Sequence, residues 1–356
     1  MDPFASVPEQ VEAKRLLSAA LADGAHAFLL HGPAGVGKRT AAFAFAGALL
    51  GDERRVIARS HPDLYVLAPL GEMIRIDDVR ALRHDLHMRP FEADRRVYLI
   101  LDADRMNADA ADALLKDLEE PPPYAVIVLV AAELGPLPPT ILSRCQLIPF
   151  RRLSEKAVRE WIAQQAPERG EEEVRVLARA AGGRLDRARR LLDPDATARR
   201  EALIAAARSV YLDPAFDPRE AAGVLLDAAG DRGAEAKERE QAFVDTLDLP
   251  ARDADQRVRR AQRGAERDEL LAGLEGLEAW YRDLVVVAAG AESAAIHADR
   301  LEDLRDDAAA VDGAAEAAER VRETWRTLEE FNLNPSLALE ALFVRVRREL
   351  RATAPV

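Results

Sequence analysis

The sequence predicts an α/β fold in which a parallel-sheet domain carrying a phosphate-binding loop is followed by helical domains. Three observations predict it. First, "HGPAGVGKRT" at 31–40 spells Gly32, four residues, Gly37 and Lys38, between an apolar run, "HAFLLHG", and a helix-like run, "KRTAAFAFAGALL", which is the strand, loop and helix order such a loop requires. Second, "RVYLILDAD", "AVIVLVAA" and "LIPF" are short apolar runs separated by helical patterns up to residue 152, as in a parallel sheet covered on both faces. Third, the strand signal disappears from Ser154 onward.

The 356 residues are too many for one ordinary core, so two or three domains are expected. An apolar content of 49% with only 5% aromatic residues, and abundant Ala, Leu, Glu and Arg, indicates a largely helical folded protein. The net charge is −13, of which residues 1–153 carry −3 and the remainder −10. The C-terminal half therefore does not read as a basic nucleic-acid surface. A single cysteine, Cys145, excludes an intramolecular disulfide and a multi-cysteine zinc site. The opening "MDPFASVPEQ" has no basic stretch leading into an apolar one, and "LVVVAAGA" at 284–291 is too short to span a bilayer. A soluble, cytoplasmic protein without membrane partners is expected.

Each element follows from local chemistry. Ser6-Val7-Pro8-Glu9 reads as a capping box opening a helix through about Leu21. "HAFLLHG" is a buried strand and "KRTAAFAFAGALL" the helix leaving the loop. "DLYVLAP" is strand-like and is followed by "MIRI", after which Asp77 can cap a helix from about Asp78 to Met88. Beyond "RVYLILDAD", Met106, Ala110, Ala113, Leu114 and Leu118 share one helical face behind an Asn107 cap, and Pro121–Pro123 end that helix. Residues 154 to about 195 read as three short helices around "AAGG" at 180–183. Longer helices follow, and the charged stretch near 230–268 is best read as a solvated face with mixed-sign pairs.

The chemistry concentrates in three places. Gly32, Gly35 and Gly37 let backbone N–H groups turn toward a phosphate chain, and Lys38 would reach its outer phosphates. The next position, where a hydroxyl should ligate Mg²⁺, is Arg39, and a hydroxyl comes one residue late at Thr40. A second strand delivers Asp102 for a metal, but Ala103 follows where an acid should activate water, and Asp104 is offset. Two readings of the loop stay open: a degenerate ATP site that still holds nucleotide, or a retained glycine turn that joins strand to helix. The third place is Ser143-Arg144-Cys145, after a proline-bounded turn and before the last strand.

Taken in order, "HAFLLHGPAGVGKRTAA", "HPDLYVLAP", "VYLILDADRMNADAADALLKDLEEPP" and "LPPTILSRCQ" resemble the delta-prime subunits of the bacterial DNA polymerase III clamp loader. Those are AAA+ proteins related to gamma/tau and to the small subunits of replication factor C. The resemblance covers about residues 4–190 and resumes at "WYRDL" and "NLNPSLALEALF". It implies an AAA+ α/β domain over 1–152, a helical lid over 153–197 and an all-α collar over 198–356. It also implies that Arg144 is an arginine finger for the ATP site of a neighbouring gamma/tau subunit, and that the partners are gamma/tau, delta, the sliding clamp and primed DNA. In the collar, Leu337, Leu339, Leu342 and Val346 suit burial between helices.

Departures from the family pattern point to an inert site of its own. The four zinc cysteines of some relatives are missing from "GDERRVIARSHPD", so no zinc is expected. Ala131 and Ala132 stand where active relatives have a polar sensor, and Asp186, between Arg184 and Arg187, where a second sensor arginine is expected. Arg80, Arg83 and Arg89 could meet DNA, although solvated surface charge is the plainer reading. Two other functions stay open: an independently active P-loop ATPase with Thr40 or Asp104 replacing the lost groups, and a non-catalytic scaffold of another assembly.

Overall fold

The computed structural model describes residues 2–22, 25–71, 73–192, 194–245, 250–330 and 333–352. The chain forms two compact units: Met1–Pro167 with Gly183–Arg187, and Glu168–Gly182 with Ala188–Val356.

In the first unit the elements run α1 (Val11–Ala22), β1 (Ala27–His31), α2 (Lys38–Leu50), α3 (Glu53–Ile57), β2 (Leu64–Leu67), α4 (Ile76–Leu86), β3 (Arg96–Leu101), α5 (Ala108–Glu119), β4 (Ala125–Ala131), α6 (Pro139–Leu142), β5 (Gln146–Pro149) and α7 (Glu155–Gln165). The five strands form one parallel sheet in the order β2-β3-β4-β1-β5. The side-chain period of two divides each central strand between two cores. Phe28 and Leu30, Val97, Leu99 and Leu101, and Val126, Val128 and Val130 join α1 and α2 on one face. Leu29, Tyr98 and Ile100, and Ile127 and Leu129 join α4 and α5 on the other. With both faces covered, the strands read as continuous apolar runs. The loops leaving β1, β3 and β4 therefore meet at one edge of the sheet, where α/β ligand sites form.

Two predicted helix starts differ from what forms. The first helix begins at Val11 rather than near Ser6, because Glu9 and Gln10 adopt φ of 51° and 45°, outside the helical region. Long-range bonds hold them there. Gln10 donates through Nε2 to the Arg151 carbonyl at 2.7 Å and accepts from the Arg151 N–H at 3.1 Å, while the Glu9 carboxylate accepts from the Ser154 N–H at 3.0 Å and from its hydroxyl. Phe4 and Val7 are buried instead of lining a helix. Similarly, α4 opens at Arg75 rather than at Asp77, and its Asp78 carboxylate accepts from the Arg75 N–H at 2.9 Å. The Asn107 cap forms as predicted, accepting from the Ala110 N–H at 3.0 Å.

The second unit contains α8 (Glu171–Ala181), most of α9 (Leu185–Leu192), α10 (Pro194–Leu212), α11 (Pro218–Val244), α12 (Ala251–Ala288), α13 (Leu301–Ala310), β6 (Val311–Asp312), α14 (Ala314–Glu330), α15 (Pro335–Glu349) and β7 (Arg351–Ala352). Its core centres on Trp280, Tyr281, Leu274, Leu277, Leu342 and Phe343. Leu339, Leu342 and Val346 are buried as predicted, but Leu337 is 65% exposed. Helical spacing explains the correction: the buried stripe is 339, 342, 343 and 346, and position 337 lies off it. Strands β6 and β7 pair antiparallel over two residues each, too few to carry a sequence pattern. Within the charged stretch, Arg232 pairs with Glu235 at 2.8 Å, Gln262 with Glu266 at 2.8 Å, and Arg257 reaches Glu240 from α12 to α11. Residues 246–249 of that stretch lie outside the described residues.

Candidate functional site

The phosphate loop bridges β1 and α2. Gly32, Gly35 and Gly37 have φ of 134°, 71° and 97°, which favour glycine. Two of them are also places of close approach. A Cβ on Gly32 would lie 2.1 Å from the Phe150 carbonyl oxygen, and one on Gly35 would lie 1.8 Å from Asp186 Oδ1. Lys38 is buried at the first turn of α2, and its Nζ donates to the carbonyls of Gly32 and Pro33. Burial lowers its pKa to about 8, against the opposing pull of Asp104, Asp102 and Asp186. His31 at the end of β1 is also lowered, by burial and then by Lys38.

Asp102, the aspartate that the sequence offers to a metal, lies in an ion pair. Asp102 follows β3 in the left-handed region with φ 51°, and its carboxylate accepts from Arg39 Nη2. A guanidinium thus sits on the carboxylate that would otherwise face Mg²⁺. Ala103 is fully buried in the α4–α5 core, so this position points away from the loop. Asp104 accepts from the backbone N–H groups of Ala132 and Glu133 at 3.0 and 3.1 Å, and so ties the ends of β3 and β4 together. Thr40 is exposed one position along α2.

The segment returning to this unit at 183–187 closes over the loop. The Leu185 N–H donates to the Gly35 carbonyl at 2.7 Å. Arg184 donates to both oxygens of Asp186, at 3.1 and 2.7 Å, and the Arg187 N–H donates to Asp186 Oδ1 at 2.9 Å. At the place where the family pattern has a sensor arginine, the Asp186 carboxylate rests beside Gly35. These residues fit a magnesium–nucleotide complex poorly: the lysine is turned onto carbonyls, Asp102 is paired with Arg39, and Asp186 fills the space beside Gly35. Among the described residues, no group of three or more His, Cys, Asp or Glu side chains is placed to hold a metal ion.

Arg144 stands apart from this loop, just after α6. Its Nε donates to Glu119 Oε1 at 2.7 Å, its Nη2 donates to the same oxygen, and Nη1 donates to the Thr140 carbonyl at 2.8 Å and to Ser143 Oγ at 3.1 Å. The side chain remains 30% exposed. Neighbouring Cys145 packs on the α4–α5 core, and burial pushes its thiol up to about 12, so it is an inert packing group. Of the arginines considered for DNA, Arg80 pairs with Asp77 at 3.0 Å, and Arg83 pairs with the buried Asp117 at 2.5 Å. The Arg89 carbonyl accepts from Arg96. The structure thus gathers Gly32, Gly35, Gly37, Lys38 and Asp102 around one loop, with Arg144 at a separate rim. Asp186 as a seal on the loop and Glu119 as the partner of Arg144 had no signal in the sequence, since both are tertiary contacts.

The sheet order, a phosphate loop after β1, an aspartate just after β3 and a segment returning to the loop define a parallel α/β domain of the phosphate-loop class. Residues 9–154 match the family described as DNA polymerase III, delta subunit. The DNA polymerase III subunit delta' of Bacillus subtilis is 35% identical over 39% of this chain and 46% of its own length, and that of Pseudomonas aeruginosa is 36% identical over 46% and 54%. The DNA polymerase III subunit tau of Bacillus subtilis is 29% identical over 47% of this chain and 33% of its own. The chain is therefore related to the delta-prime and gamma/tau proteins, as its motifs indicated. It spans about half the length of the delta-prime relatives it matches. No described helix is long and apolar enough to cross a membrane.

Proposed function

We propose that this chain is a clamp-loader subunit of the replicative DNA polymerase III, acting in the cytoplasm, with a degenerate ATP site of its own. In this reading it supplies Arg144 to the ATP site of a neighbouring gamma/tau subunit while the assembly, which includes delta, loads the sliding clamp on primed DNA. Residues 153–197 serve as its lid and 198–356 as its collar. The observation that carries the reading is a contrast within one α/β unit. Arg39 occupies Asp102 and Ala103 is buried, whereas Arg144 stands half-buried at the rim with its guanidinium already oriented. Loss of both the metal hydroxyl and the water-activating acid is incompatible with efficient turnover, while a rigid guanidinium offered in trans can neutralise charge developing on a transferred phosphoryl group.

Such a finger is worth roughly 10³–10⁵ in rate at the site it serves. Arg144→Ala in the reconstituted complex should therefore remove that site's share of clamp- and DNA-stimulated ATP hydrolysis. Unchanged hydrolysis would sink the reading. Turnover by the isolated chain that is lost with Lys38→Ala would favour an independent ATPase instead.

A further inference from the structure

We propose that Glu119 is the positioning residue for Arg144, fixing its guanidinium for use by the neighbouring subunit; this rests on the function proposed above. Glu119 is the last residue of α5, where a carboxylate faces the negative end of the helix dipole and is disfavoured. The Glu120 N–H closes the helix on the Lys116 carbonyl, so Glu119 is not needed as a cap. What it does hold is Arg144. One oxygen, Oε1, accepts from both Nε and Nη2, while the Thr140 carbonyl and Ser143 Oγ take Nη1. Acceptors on all three nitrogens define the plane of the group, and one Nη2 hydrogen is left for an incoming oxygen. A long side chain ordered before its target arrives loses less rotamer freedom at the moment of use. Glu119 is itself 48% exposed, and an exposed ion pair contributes little to folding, so its effect should be functional rather than structural.

The test is steady-state ATP hydrolysis by the complex reconstituted with gamma/tau, delta, clamp and primed DNA, comparing Glu119→Ala, Glu119→Gln, Arg144→Ala and the Glu119→Ala/Arg144→Ala double variant. Glu119→Ala should lower kcat at the affected site severalfold, up to about 10²-fold, with KM for ATP unchanged, as expected for a misplaced group. Glu119→Gln should recover most of the loss, because its amide oxygen still accepts from Nε and Nη2. The double variant should be no worse than Arg144→Ala alone. Wild-type turnover in Glu119→Ala beside a defective Arg144→Ala would overturn the role of Glu119 and leave the finger intact, as would losses that multiply in the double variant. Wild-type turnover in Arg144→Ala would overturn the underlying function and this role together.

Discussion

Asp63 in the α/β unit and Asp307 in the helical unit are both buried, and they are satisfied in opposite ways. Where strands meet loops in the α/β unit, carboxylates accept from backbone. Asp63, fully buried, takes the N–H groups of Phe91, Glu92 and Ala93 at 2.6, 3.0 and 2.9 Å, and Asp104 takes those of Ala132 and Glu133. Burial alone would raise the pKa of Asp63, but those donors, with Arg96 nearby, hold it below the usual carboxylate range. Between packed helices, carboxylates accept from side chains, as Asp117 of α5 does from Arg83 of α4 in the first unit. Asp307 takes Arg208 at 2.8 and 3.0 Å and the Tyr211 hydroxyl at 2.6 Å, and that hydroxyl in turn accepts from Trp280 Nε1 at 3.1 Å. The reason is the backbone inventory. Loops at a sheet edge have unpaired N–H groups to offer, whereas helix interiors have spent theirs. An acid facing a loop therefore fixes that loop, as Asp63 does and as Asp283 does through the His297 N–H at 2.7 Å, whereas one facing a helix locks helix to helix.

The largest expected effect follows from breaking a helix lock. Asp307→Ala leaves Arg208 and Tyr211 without their buried acceptor, and should cost about 3–5 kcal/mol, read as a lowered denaturation midpoint of the second unit. Asp63→Ala should cost less, about 2–3 kcal/mol, and should accelerate amide exchange at Phe91–Ala93 more than in the strands; uniform acceleration would erase the distinction between loop staple and helix lock. Lys38 offers a test by pH. Its folded pKa of about 8 lies below the ordinary 10.5, so the unfolded chain binds more protons between those values, and stability should rise with pH across that window. Lys38→Met should remove that increment from the pH profile of the denaturation midpoint. The smallest effect belongs to the exposed Arg80–Asp77 pair at 3.0 Å, where Arg80→Ala should change stability by about 0.2–1 kcal/mol or less.

What the sequence revealed follows the same division. The buried strands were legible because a doubly covered parallel sheet needs uninterrupted apolar runs, and the loop was legible because the φ values of Gly32, Gly35 and Gly37 strongly favour glycine. The start of α1 was misread because "SVPE" has good capping chemistry, and nothing local announces that Glu9 and Gln10 will bond to Ser154 and Arg151. Leu337 was misread because three apolar neighbours made it look like part of their stripe. At the site, the absence of chemistry at Arg39 and Ala103 could be read directly, but what Arg39 does instead required the position of Asp102.

The bond from the Leu185 N–H to the Gly35 carbonyl has a kinetic consequence. That proton exchanges with solvent when the start of α9 parts from the loop, so its protection reports the fraction of time for which the loop is open. A single resonance thus gauges the opening of the loop. A ligand that entered between Gly35 and Asp186 would first have to wait for that opening.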